Sequence, residues 1–168
     1  MVFGALPTEH HEVQVLTTSF QFSGQLETIG ALLGYINDAN RDSFSLSDAY
    51  LTPLTPGAPM KGISRPQLTI RRPQIAFLYF ASPESRAAVR MLVQKHALVV
   101  YTPVAVCRGY VHMPAEARLR DFMDVVTDEM FTISEARIFP LIELPAPFPL
   151  EADLLFVGRF QVQCYHPA

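Results

Sequence analysis

The chain has 168 residues, of which 49% are hydrophobic and only 17% charged, with a formal net charge of −3. That is ample core-forming material for one ordinary domain or two very small ones, and it excludes a disordered tail. No stretch reaches the roughly eighteen consecutive apolar residues that a membrane helix needs. The two cysteines, Cys107 and Cys164, are too few for a disulfide scaffold and lack CxxC spacing.

Taken in chain order, residues 1–12 read as a mobile lead-in without the basic-then-apolar pattern of a secretory signal. Residues 13–24 are rich in Val, Phe and Thr and predict a strand. Residues 27–38 place Ile29, Leu32, Leu33 and Ile36 at helical spacing. A second strand follows at 43–54, then a proline-rich connection over 53–66 and a last strand over 74–81. Residues 82–96 form a linker, with Ser82 placed to cap a short helix. The same series then returns: strand character over 97–111, helical spacing over 114–126 opened by Pro114, a strand over 130–144, a proline-rich connection at 145–149 and a closing strand over 153–165.

The return is an internal repeat. Phe44-Ser-Leu-Ser-Asp-Ala-Tyr-Leu-Thr-Pro-Leu54 aligns with Phe131-Thr-Ile-Ser-Glu-Ala-Arg-Ile-Phe-Pro-Leu141, and Leu32, Tyr35, Ile36 and Asn37 align with Leu119, Phe122, Met123 and Asp124 at the same offset. A shift of two residues matches Gly24 with Gly109, while Ile75-Ala-Phe-Leu78 is matched with Leu154-Leu-Phe-Val157. The expected fold class is therefore α+β, mainly β. Two tandem β-α-β-β modules (13–81 and 97–168) would be related by a pseudo-twofold axis, as one open sheet or as small barrels. Each copy alone would be a marginal domain, and packing the two enlarges the shared core.

The second copy resembles an uncharacterised family of small bacterial modules. The likeness rests on Gly109, Pro114, Arg118-Leu-Arg-Asp-Phe-Met-Asp124, Phe131-Thr-Ile-Ser-Glu-Ala-Arg-Ile138 and Leu155-Phe-Val-Gly-Arg159. The family pattern has an R-L-x-D-x-L-N helix and an F-x-x-L-x-D-A-x-V strand; here Met123 and Asp124 stand for its Leu-Asn. A more distant likeness to ring-forming Sm-type small barrels accompanies it. The resemblance implies a fold and no chemistry.

Charge is the most concrete functional signal. Residues 61–120 hold ten basic residues against Glu84 and Glu116, whereas the rest of the chain holds three basic and fourteen acidic. Such asymmetry draws acidic partners to one face, or joins copies of the protein basic face to acidic face, unless folding interleaves the segments. Within the basic region Arg65, Arg71 and Arg72 flank prolines, where paired donors suit phosphate or carboxylate, although strand-edge arginines also guard against aggregation. Arg118 is a further binding candidate, and it sits three residues from Asp121, at ion-pair spacing on a helix. Asp48 and Glu135 hold equivalent places as a remote candidate acid pair. The Glu9-His-His-Glu12 cluster is no closed metal site, and no P-loop, G-x-G-x-x-G, G-x-S-x-G or H-E-x-x-H is present.

The expectation is a non-enzymatic, cytoplasmic binding or assembly module that self-associates as a homo-oligomer and carries no cofactor. The alternative is a sensor binding an anionic small molecule or acidic partner through the basic patch. An isoelectric point near 5.9 argues against nucleic acid as the partner.

Overall fold

The computed structural model describes residues 4–126 and 128–168. β-Branched and aromatic residues, alternating with polar ones, build ten antiparallel strands. In the first half these are β1 (Thr8–Thr17), β2 (Phe20–Ile29), β3 (Ser43–Pro53), β4 (Ile63–Arg71) and β5 (Ile75–Phe80). The second half has β6 (Gln94–Tyr101), β7 (Ala105–Met113), β8 (Met130–Pro140), β9 (Glu151–Gly158) and β10 (Cys164–Pro167). Among the described residues, helix is confined to α1 (Leu32–Ile36), α2 (Pro83–Ala87), α3 (Leu119–Asp121) and a π-helical turn after α3, with single 3-10 turns at Arg72–Gln74 and Arg159–Gln161.

All ten strands join one open sheet in the order β10-β6-β7-β8-β9-β5-β1-β2-β3-β4. This overturns the α+β reading of two β-α-β-β modules. Each expected first strand is a hairpin, because a threonine turns the chain. Thr17 Oγ1 accepts from Phe20 N (3.0 Å) and donates to Phe20 O (3.1 Å). Thr102 Oγ1 does the same with Ala105 N (3.1 Å) and Ala105 O (2.8 Å). The expected helix over 27–38 contracts to five residues because Thr28 and Ile29 are still paired in β2 and Gly30 takes a positive φ of 76°. Most of the proline-rich connection ends before Ile63, since β4 accommodates Pro66 at the sheet's outer edge. Of the expected lead-in, residues 1–3 lie outside the described residues, and β1 begins at Thr8.

The pseudo-twofold is overturned as well. A twofold would place equivalent edges together, whereas here β9 meets β5. The first half runs β5-β1-β2-β3-β4 across the sheet, and the second runs β10-β6-β7-β8-β9 in the same sense. The association is head to tail, the heterologous type. The offset of 87 residues continues beyond β3 and β8: Arg72 N donates to Asp42 O (2.8 Å), and Arg159 N to Glu129 O (2.7 Å). The counterpart of β5 is consequently β10, and that of β9 is β4, not the match between residues 75–78 and 154–157 that apolar content suggested.

The halves share two cores. Along β5, Ala76 and Phe77 enter the core dominated by the second half, while Ile75, Leu78 and Phe80 enter that of the first. Along β9, Leu155 and Val157 go to the former and Leu154 and Phe156 to the latter. Strands covered on both faces read as continuous apolar runs, which is why Ile75-Ala-Phe-Leu-Tyr-Phe80 and Leu154-Leu-Phe-Val157 lack alternation.

Candidate functional site

The repeated acids Asp48 and Glu135 are backbone devices and form no acid pair. Both take left-handed conformations (φ 48° and 49°) opposite a shift of strand register at Gly24 and Gly109. A Cβ on Gly24 would lie 2.9 Å from Ser47 O, and one on Gly109 2.7 Å from Ser134 O, so each glycine lets a bulged strand cross close by. The repetition of these residues is explained by the bend they make.

The arginines singled out in the sequence do not converge. Arg65 is exposed and donates to its neighbour's carbonyl, Ser64 O (2.9 Å). It lies six residues from Arg71 on β4, roughly 20 Å at strand rise. Arg71 pairs with Asp42. Arg72 is buried, 4% exposed, with its guanidinium 2.6 Å from Glu129 and donating to Asp38 O (2.7 Å). Arg118 is exposed at the start of α3, and the ion pair there joins Arg120 to Asp124 of the following π-helical turn (3.8 Å).

Folding also interleaves the charged segments. Arg71, Arg72, Arg86, Lys95 and Arg120 pair with Asp42, Glu129, Asp153, Glu135 and Asp124, all from outside residues 61–120. Four of the ten basic residues are thereby matched to acids distant in sequence, and Arg120 to one four residues away.

His11 makes the most enzyme-like contact. Its Nδ1 is 2.6 Å from Ser85 Oγ, and its Nε2 lies 3.1 Å from Thr28 Oγ1 and 3.4 Å from Glu9. Ser85 and His11 are 7% and 5% exposed, so an acyl group has no approach to the hydroxyl. Desolvation lowers the His11 pKa, against an opposing pull from Glu9. The trio ties α2 to the β1–β2 hairpin. Among the described residues, no group of three or more His, Cys, Asp or Glu side chains is placed to hold a metal ion, and no helix is long and apolar enough to cross a membrane.

A groove beside β10 has the clearest structural logic. It has a volume of about 560 Å³ between the π-helical turn after α3 and the strand edge, lined by Met123, Asp124, Arg159, Val162, Cys164 and Tyr165 among others. Subtracting 87 from each number gives Ile36, Asn37, Arg72, Ile75, Phe77 and Leu78. Those residues form the corresponding surface of the first half, and the second half occupies it. There Phe77 pairs with Val157 and Leu78 with Phe156. Asn37 Nδ2 donates to Met130 O (3.0 Å), Met130 N donates to Asn37 Oδ1 (2.9 Å), and Arg72 holds Glu129. Gln161 Nε2 donates to Pro73 O (2.8 Å), joining the two 3-10 turns. Ile36, Ile75, Phe77 and Leu78 are buried, whereas Cys164 is exposed and Val162 and Tyr165 half-buried.

The groove residues carry no separate signal of their own, because residues 153–165 read as one strand. The signal that finds them is the 87-residue offset carried past Leu141, which aligns Arg72 with Arg159. No protein-family model matches the chain, and comparison with curated proteins and with solved structures likewise finds no match.

Proposed function

We propose that this protein is a non-enzymatic binding module that recruits other polypeptides along the edges of its sheet. The observation carrying this reading is the pair of open edges, β10 and β4, at the ends of a ten-stranded sheet whose interior shows how such edges are covered. An unpaired edge presents N–H and C=O groups to a strand from elsewhere, which gives affinity from the backbone and specificity from alternate side chains. The buried, substrate-inaccessible Ser85–His11 contact and the dispersed arginines favour binding over catalysis or anion sensing.

Self-association is the second reading, and the β4–β10 equivalence to the internal β9–β5 junction favours it. Opposing it, Arg71 stands on β4 where that junction has Gly158. A Cβ on Gly158 runs into the backbone carbonyl of Ile75, far inside van der Waals contact. An unmodified repeat of the junction between molecules is therefore obstructed.

The test is to pan a random peptide library on the immobilised protein and map the selected peptides by amide hydrogen exchange. The expected result is an extended consensus that protects amides on β10 or β4. No enrichment, or protection confined to other surfaces, overturns the reading.

A further inference from the structure

The internal junction specifies what the vacant groove is shaped to hold. On the first half, the acceptor strand β5 receives Phe156 and Val157, and Gly158 lets the incoming backbone close on the Ile75 carbonyl. The preceding 3-10 turn supplies Arg72, which takes the Glu129 carboxylate. Asn37 at the end of α1 clasps the backbone of Met130. On the second half the same backbone is rebuilt: β10 pairs with β6 in the register that β5 has with β1, Pro167 opposite Leu98 as Phe80 is opposite Val13. Arg159 begins the equivalent 3-10 turn and lines the groove.

Backbone geometry leaves this edge able to accept a ladder. Ala168 N donates to Ala97 O (3.1 Å), as Ala81 N donates to Glu12 O (2.9 Å) in the first half. By strand alternation, Tyr165 then turns its own N–H and C=O away from β6, as Leu78 turns them toward Phe156. Pro167 limits any added ladder to a short one, and the internal ladder is itself only two residue pairs long.

Resting on the edge-binding reading above, we propose that the β10 groove accepts an antiparallel strand from a different protein. That strand carries two apolar residues followed by glycine, in the places of Phe156-Val157-Gly158. The molecule's own β4 fails this description at two positions. Arg71 occupies the glycine place, and Thr69 occupies that of Phe156. The occupant is thus a foreign strand, since a second copy offering β4 would bring an arginine where the internal junction has glycine.

A labelled synthetic peptide of residues 151–158, extended with solubilising residues at its N-terminus, tests this on the intact protein by fluorescence anisotropy. Saturable binding with a Kd on the order of 10–100 µM is the expected result. A peptide with Gly158→Arg should bind at least about tenfold more weakly. Alkylating Cys164 with N-ethylmaleimide, which leaves the buried Cys107 untouched, should weaken binding by a similar factor. No binding at millimolar peptide, equal binding of the arginine peptide, or indifference to the alkylation each overturns the proposal. Concentration-dependent dimers of the unmodified protein that use β4 overturn the exclusion of a second copy. Library peptides mapped to β4 alone would leave edge binding standing while removing the β10 groove as its site.

Discussion

The two ends of the repeated unit meet opposite fates. At the internal junction, β5 is buried on both faces and Arg72 is buried against a half-exposed Glu129. At the free end, β10 has the same backbone register, but its side chains are Cys164, Tyr165, His166 and Pro167 in place of Phe77, Leu78, Tyr79 and Phe80. The opposite edge, β4, carries Arg65, Pro66 and Arg71 where β9 has Ala152, Asp153 and Gly158. Identical backbone geometry can therefore be fused, exposed or guarded by side-chain choice alone. Charge and proline on β4 discourage uncontrolled strand addition, whereas β10 retains a groove.

The comparison is broken most severely at Arg72. Arg72→Ala leaves Glu129 without its cation and Asp38 O without its donor, and should cost about 3 kcal/mol in urea unfolding. The equivalent Arg159→Ala, at a half-exposed position, should cost about 1 kcal/mol or less. Equal losses would show that the two turns are energetically alike despite their surroundings.

A somewhat smaller effect is expected at the close approach. Gly158→Ala forces a methyl group against Ile75 O and should destabilise the protein by about 2 kcal/mol. Its mirror experiment, Arg71→Gly, removes the obstruction on β4 and should raise the fraction of oligomer at high concentration in light scattering. An unchanged mass profile for Arg71→Gly would mean that other features of β4 already prevent pairing.

The third contrast is between His11 and His96, which occupy equivalent places in β1 and β6; His11 is buried and His96 exposed. Burial lowers the His11 pKa, so the unfolded chain takes up its proton at a higher pH than the folded one. The contribution of neutral His11 is fully present above the unfolded value of about 6.5 and declines as the pH falls below it. His11→Gln should flatten the dependence of thermal stability on pH just below 6.5. Parallel curves for wild type and His11→Gln would remove His11 as the titrating group.

Part of this was legible in the residues themselves. The glycine, acid and apolar positions that recur at offsets of 85 and 87 revealed the duplication, because each sets a local requirement: a bulge at Gly24 and Gly109, a left-handed residue at Asp48 and Glu135. Core material was legible too, since Val15, Leu46, Phe77, Ile133 and Leu155 sit in apolar strand patterns and are all buried. The hairpins were not, because the Thr17 turn has neither glycine nor proline and the lone Pro103 of the Thr102 turn sits inside an otherwise apolar run. The brevity of the helices escaped for a related reason: helical spacing in residues 27–38 overlaps the end of a strand that pairing with β1 extends to Ile29.

The residues alone specify the repeated unit and the chemistry of its bends. That the units join β9 to β5, head to tail, emerges on folding, since strand pairing between distant segments depends on shape and close approach at single residues such as Gly158. The same pairing buried Arg72 while leaving Arg71 at the edge, a distinction between adjacent arginines that local sequence does not encode.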